Sequence, residues 1–300
     1  MSSGLRATVA AGAVLLTLSG CASSRDAASA PSNVRGLSMA AVLDPKSGAV
    51  NLPGDQFLLN EVDMDLVASA MTGLISTCAA DKGVKFVRLK PLGDPTYLSE
   101  SYFGPWTLEQ AREFGFVPPM PKADLIANGI IPGDDAETGS GGNGGSTAER
   151  TEEEYAVVDE CAASVDDDVY TAALTERGPW VQLIKHSPDK VRDTTAFRDA
   201  VRDLDTCYEQ HGLTPSGQEP WTPLGAKGDH ISLEQIEMAV QVVECKNEVD
   251  FTARVANAQA ALQAPVIEKY ADEMFAHRTQ MATAIKEARK LHAEMEAAGK

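Results

Sequence analysis

Of the five cysteines, Cys21 lies in the N-terminal segment, and the other four, Cys78, Cys161, Cys207 and Cys245, are the residues whose type and number point most directly to chemistry. An even set in an exported chain reads as two disulfides, and spacing by itself leaves three pairings open. Metal binding is the weaker reading, because neither Cys-x2-Cys nor His-x3-His spacing occurs. No metal site and no cofactor is therefore expected. His211 follows Cys207 by four residues, which would suit a thiolate–imidazole pair. A bonded cysteine at a helix end describes that spacing better. Carboxylates are abundant at 44 Asp and Glu, so a pair of the kind glycoside hydrolysis needs arises by chance and no catalytic residue is assigned. Asp166-Asp167-Asp168 lacks the alternating acids and glycine of a calcium loop and reads as a solvated acidic turn. His186, His211, His230, His277 and His292 are scattered and fall in no His-Glu-x-x-His frame. Ser140 sits in a Gly-Ser-Gly with no strand before it, so it makes no nucleophile elbow. Neither a phosphate-binding Gly-Lys-Ser loop nor a dinucleotide fingerprint is present.

The tryptophans form the one unusual constellation. Trp106, Trp180 and Trp221 each follow a proline. A fixed proline φ before a large amphipathic ring makes a rigid projection, able to stack on a glycan or anchor a partner. Such a ring more commonly plugs the core where a loop enters a helix. These three are the candidate binding residues.

The elements that position these residues are helices. Met64, Val67, Met71, Leu74, Ile75 and Cys78 recur every three or four positions, and Gly83 follows as a stop. Phe197, Val201, Leu204 and Tyr208 repeat the pattern around Cys207, before Gly212. Thr107 with Gln110 and Ser232 with Gln235 have capping-box spacing, the second opening a helix that should run through Cys245. Ser187-Pro188 is a further start signal. An acidic helix is expected from Thr151 to Tyr170, with Glu152, Glu153 and Glu154 favouring its N-terminal dipole and Tyr155, Val158 and Cys161 facing inward. From Ile267 the heptad series Ile267, Met274, Met281, Ala288, Met295 alternates with Tyr270, His277, Ala284 and Leu291. That seam predicts long C-terminal helices, coiled-coil-like in pattern, folding as a helical hairpin onto their own body rather than self-associating. A Met-rich seam is also adaptable enough to accept a partner helix.

Short words recur in the same order in both halves. Cys78-x4-Gly83 matches Cys207-x4-Gly212, and Pro105-Trp106-Thr107 matches Pro220-Trp221-Thr222. Leu108-Glu109-Gln110 matches Leu233-Glu234-Gln235, and Val-Val precedes both Cys161 and Cys245. This degenerate duplication selects one bridge per half, Cys78–Cys161 and Cys207–Cys245.

The N-terminus is an address. Residues 1–20 carry Arg6, an apolar core of about 12 residues from Ala7 to Leu18, and small residues before Cys21. That core falls short of the roughly 20 residues of a spanning helix, and no second stretch approaches 18 consecutive apolar residues. Leu18-Ser19-Gly20-Cys21 resembles the lipobox of bacterial lipoproteins. The resemblance implies removal of residues 1–20 and a diacylglycerol on Cys21, which would hold the chain on the extracytoplasmic face of the cell membrane. Without residues 1–20 the chain has 25 Lys and Arg against 44 Asp and Glu, a net charge of −19, which disfavours nucleic acid as a partner.

Residues 21–55 read as a flexible tether and 56–130 as a first helical half. A Gly-rich disordered loop at 131–150, an acidic helix and connection at 151–195, and a second helical half at 196–300 follow. Cys-x4-Gly at a helix end, Phe114-Gly115-Phe116 after a capped helix, and a late helix cysteine before an Ala- and Glu-rich tail are together similar to uncharacterised actinobacterial cell-envelope lipoproteins. That resemblance spans roughly residues 60–300 and implies an exported, anchored, disulfide-bonded helical protein with no catalytic residue. The expected class is mainly α: a disulfide-stapled helical body that binds or positions an envelope protein or cell-wall component. The alternative is a cell-wall-active hydrolase using a carboxylate pair, which calls for a cleft with a raised-pKa carboxylate beside a tryptophan.

Overall fold

A computed structural model describes residues 36–86, 102–120, 122–132, 151–217 and 219–297, all within one compact unit, Pro31–Lys300. The signal segment 1–20, the lipobox with Cys21 and the Gly-rich stretch 133–150 lie outside the described residues.

The first folded element corrects the extent of the tether. Strands β1 (Val42–Asp44) and β2 (Ala49–Asn51) pair antiparallel with Leu43 opposite Val50. Asp44 closes the turn by accepting from the Lys46 amide at 2.9 Å and the Ser47 hydroxyl at 2.7 Å. Gly48 is required there: its φ is +71°, and a Cβ would stand 1.9 Å from Gln110 Nε2. A 3-10 turn, Pro53–Phe57, follows and buries Phe57 completely. The chain is therefore docked on the body well before residue 55.

Helix α1 (Glu61–Asp81) starts at Asn60, whose side chain accepts from the Asp63 amide. Helices α2 (Leu108–Phe114) and α3 (Lys122–Ala127) follow, the first capped by Thr107 as its spacing predicts. The acidic segment forms two helices rather than one: α4 (Glu152–Ser164) and α5 (Asp168–Leu174). Val165 turns to an extended conformation and Asp167 becomes the N-cap residue of α5, consistent with the preference of Asp for caps over helix interiors. Tyr155 is exposed, so the inner face of α4 is made by half-buried Val157 and Val158 and fully buried Cys161. Then come α6 (Pro179–Lys185), α7 (Ser187–Val191), α8 (Thr195–Gln210), α9 (Leu233–Glu248), α10 (Phe251–Lys269) and α11 (Ala271–Ala297).

The largest core cluster joins α8, α9 and the start of α10 through Leu204, Tyr208, Val242, Val243, Phe251 and Val255. The tail is not a hairpin. It breaks at Tyr270; α10 packs on α6, α7 and α8, whereas α11 packs on α1 and α5. The heptad seam is turned inward, with Met274, Ala284 and Ala288 fully buried. Against it α1 presents Val67, Ser69, Ala70 and Gly73, its buried face, while Met64 is exposed. Small residues let two helix backbones approach closely, so the larger apolar side chains of α1 lie along the flanks. Pro53–Asp81 is, among the described residues, the one helical stretch long and apolar enough by length and composition to cross a membrane. Within the fold its inner face is covered by α5 and α11.

Both disulfides pair as the internal similarity selects, Cys78–Cys161 and Cys207–Cys245, each with Cα atoms 5.7 Å apart. Every bonded cysteine lies three residues before the last residue of its helix. The body is thus mainly α-helical and disulfide-stapled, with each bridge joining the C-terminal ends of two helices.

Candidate functional site

The tryptophans do not form an exposed platform. Trp180 is fully buried, and Trp106 and Trp221 are 7% and 9% exposed. Trp106 Nε1 donates to the Gly48 carbonyl at 2.7 Å, tying the hairpin to α2. Trp221 meets Phe103 edge-on, with centroids 4.9 Å apart, and carries the Arg192 guanidinium 4.7 Å over its ring. Trp106 and Trp180 stand at loop-to-helix entries, before α2 and in the first turn of α6, whereas Trp221 lies in the turn region between α8 and α9; at all three, burial of the apolar ring outweighs display.

Beneath Phe103 lies a lysine that the sequence reading passed over. Lys246, 1% exposed on the inner face of α9, donates to the carbonyls of Phe103 at 2.6 Å and Pro105 at 2.9 Å. Those bonds hold a turn in which Phe103 and Gly104 both have positive φ, 52° and 77°. Burial drives the Lys246 pKa down from its ordinary value to about 7. A depressed lysine in a cleft suggests a nucleophile, but both carbonyl contacts here serve the backbone and the amine faces no groove. Its position three and four residues after Val243 and Val242 was the available signal. The unfolded chain holds this proton to a higher pH than the folded chain, so stability rises between about pH 7 and 10 by at most about 1.4 kcal/mol per pH unit. Lys246→Met should remove that rise, read from urea unfolding at pH 7 and pH 9.

Other buried polar groups are also structural ties. Ser69 Oγ and His292 Nε2 lie 3.0 Å apart between α1 and α11, but the same imidazole nitrogen is 3.3 Å from the Leu66 carbonyl, and Ser69 is fully buried. On α10, Gln259 and Gln263 both donate to Ser187 Oγ, at 3.0 and 2.9 Å. Gln259 also accepts from Tyr102 and Gln263 from the Gly54 amide, so one hydroxyl organises three segments around α10.

A groove of about 360 Å³ opens between α1, α5 and α11. Its floor is apolar, formed by Leu74, Val169 and Leu291 beside buried Tyr170. Asp166 and Asp168 rim one side and Glu287 and Glu294 the other, with Lys290 as the lone basic lining residue. Lys290 reaches Glu294 at 3.9 Å with both side chains exposed, a contact of little energetic weight. Burial, then Glu287 and Glu294, raise the Tyr170 phenol above its ordinary pKa and keep it neutral. An apolar floor under a net negative rim suits a ligand with an apolar body and positive charge. Of the rim, the sequence reading singled out Asp166 and Asp168 only as an acidic turn. Glu287, Lys290 and Glu294 flank seam residue Leu291 at three- and four-residue spacing, and that acidic flank is the signal the sequence offers. The described carboxyl pushed upward, by burial first and Glu209 second, is Asp205, and it does not line this groove.

The Cys207–Cys245 bridge joins the C-terminal ends of α8 and α9. Its sulfurs are buried, while His211 and Glu248 beside it are exposed. The Glu248 carboxylate is 3.7 Å from Cys207 Sγ and 3.9 Å from His211 Nε2.

No family model matches this chain, and no match was found among the curated proteins or the solved structures.

Proposed function

We propose that this protein is a lipid-anchored lipoprotein of the extracytoplasmic membrane face that acts as a non-enzymatic binding or adapter protein. Leu18-Ser19-Gly20-Cys21 supports the anchor. Two acyl chains at Cys21, each contributing about 0.8 kcal/mol per buried CH2, suffice for stable attachment. The observation that carries the binding reading is the acid-rimmed apolar groove between α1, α5 and α11. Its charge favours a partner segment that presents Lys or Arg around an apolar side chain, and the acidic chain as a whole steers such a partner toward it.

The anchor and the groove are tested separately. Cys21→Ser should shift the protein from the membrane fraction to the soluble fraction, and the wild-type N-terminal peptide should carry diacylglycerol by mass spectrometry. A photo-crosslinker at position 291 in the wild-type host should capture one basic envelope protein, and Asp166→Lys with Glu287→Lys should cut that product about tenfold or more without lowering the melting temperature. An unchanged product would sink the groove reading while leaving the anchor intact. Release of cell-wall fragments by the purified protein, lost in Asp168→Asn or Glu287→Gln, would instead favour the hydrolase.

A further inference from the structure

The two disulfides occupy matching places in the duplicated frame, but their neighbours differ in kind. Four residues after Cys207 stands His211, and three after Cys245 stands Glu248; the corresponding positions after Cys78 and Cys161 hold Lys82 and Ser164. At the first bridge Lys82 pairs with Glu160 at 2.8 Å, and Ser164 Oγ lies 3.9 Å from Cys78 Sγ. At the second, Cys207, His211 and Cys245 bring their ligand atoms within 4.8 Å of one another, the single such grouping of three among the described residues. Glu248 adds an oxygen beside both Cys207 and His211. The frame is shared, so the helix-end geometry is common to both bridges. Among the described residues, an imidazole gathered with both cysteines occurs at only one.

Two sulfurs, an imidazole nitrogen and a carboxylate oxygen make a donor set that zinc(II) accepts in tetrahedral geometry. Zn–S distances of about 2.3 Å place two thiolates about 3.8 Å apart, a spacing that side-chain rotation allows between Cα atoms 5.7 Å apart. While the sulfurs are bonded to each other neither is a thiolate, and neither is available to zinc as one. We propose that Cys207, Cys245, His211 and Glu248 form a redox-gated zinc(II) site, closed as a disulfide and opened by a dithiol reductant.

Opening transfers two electrons and two protons from the dithiol to the sulfurs of Cys207 and Cys245, and the reductant leaves as its own disulfide. Zinc binding then forms two Zn–S bonds and releases the two thiol protons to solvent. The ion replaces the covalent staple between α8 and α9 with a coordinate one, so this corner of the main core stays joined in either redox state.

The purified chain, reduced with a phosphine and desalted, is titrated with zinc(II) against a chromophoric chelator and with cobalt(II) as a spectroscopic probe. One zinc per reduced chain, a tetrahedral cobalt–thiolate spectrum and a higher melting temperature with zinc are expected. Cys78→Ser with Cys161→Ser should leave all three unchanged. His211→Ala with Glu248→Ala, which removes two of the four ligands, should weaken binding by more than the roughly 10- to 100-fold that loss of an outer-shell partner costs. Equal affinity in that double variant would show simple chelation by two thiols and overturn the site. Zinc uptake by the oxidised chain would do the same. Should reduction lower the helical content, failure of zinc to restore it also overturns the proposal.

Discussion

Trp180→Ala is expected to lower the unfolding free energy by about 3–5 kcal/mol, the range for deleting a fully buried aromatic ring. Trp180 joins Phe57 of the 3-10 turn, Ile184 of α6, and Ile267 and Met274 on either side of the α10–α11 break. Its loss leaves a cavity where three segments meet, and none of them can close it without leaving another contact. Gly178 must stay small for the ring to fit: at φ +113°, a Cβ there would stand 2.9 Å from the indole. The ring also lies against His277, with centroids 5.6 Å apart, and neither Trp180 Nε1 nor His277 Nε2 has a hydrogen-bond partner among the described residues. Burial pushes the His277 pKa down and favours the neutral imidazole. Trp180→Phe removes that unpartnered donor along with part of the ring, so its loss should be roughly half that of the alanine variant. Urea unfolding of both variants measures the difference. Equal losses would mean that the part of the indole beyond a phenyl ring carries the contact.

The same residues show why the sequence is readable in places and opaque in others. Helices α8 and α9 were legible because amphipathic spacing and a hydroxyl cap coincide, and Phe197, Leu204 and Tyr208 are buried as their period requires. The C-terminal seam was legible as a seam, but not its partner, since a heptad stripe states what must be covered and not by what. Helix α1 misled because apolar residues surround it, leaving a weak period. Its true inner face is set by the alanines of α11, which favour Ser69, Ala70 and Gly73 over Met64. The hairpin was hidden by Ser- and Ala-rich surroundings, although Asp44-Pro45 and Gly48 are turn residues. Lys246 is hard to read because a long cation is normally counted as outward-facing, and only two backbone carbonyls 143 and 141 residues away turn it inward. The groove needs α1, α5 and α11 together, so no local pattern contains it.

Cutting the two disulfides should have unequal effects, in the order opposite to their loop lengths. Treating each bridge as a restraint on the unfolded chain gives roughly 4 kcal/mol for the 38-residue separation of Cys207–Cys245 and roughly 4.5 kcal/mol for the 83-residue separation of Cys78–Cys161. That estimate assumes that the native state keeps its shape after the bond is lost. For α8 and α9 the assumption holds, because Leu204, Tyr208, Val242 and Val243 stay packed in the main core. Helix α4 is different. Its one fully buried residue is Cys161 itself, half-buried Val157 and Val158 add a small apolar contact to the end of α1, and the Lys82–Glu160 ion pair has side chains 35% and 67% exposed. Without the bridge α4 can undock, and the native state then regains much of the loop freedom that the unfolded state gains. Cys207→Ser with Cys245→Ser should therefore reduce global stability by about 3–4 kcal/mol. Cys78→Ser with Cys161→Ser should shift global unfolding by about 1 kcal/mol or less while the amides of Glu152–Ser164 lose their exchange protection. Hydrogen exchange and urea unfolding on the two double variants separate these outcomes. A larger global loss from the Cys78–Cys161 pair, with α4 still protected, would mean that α4 is held by its packing and that unfolded-chain entropy sets the order.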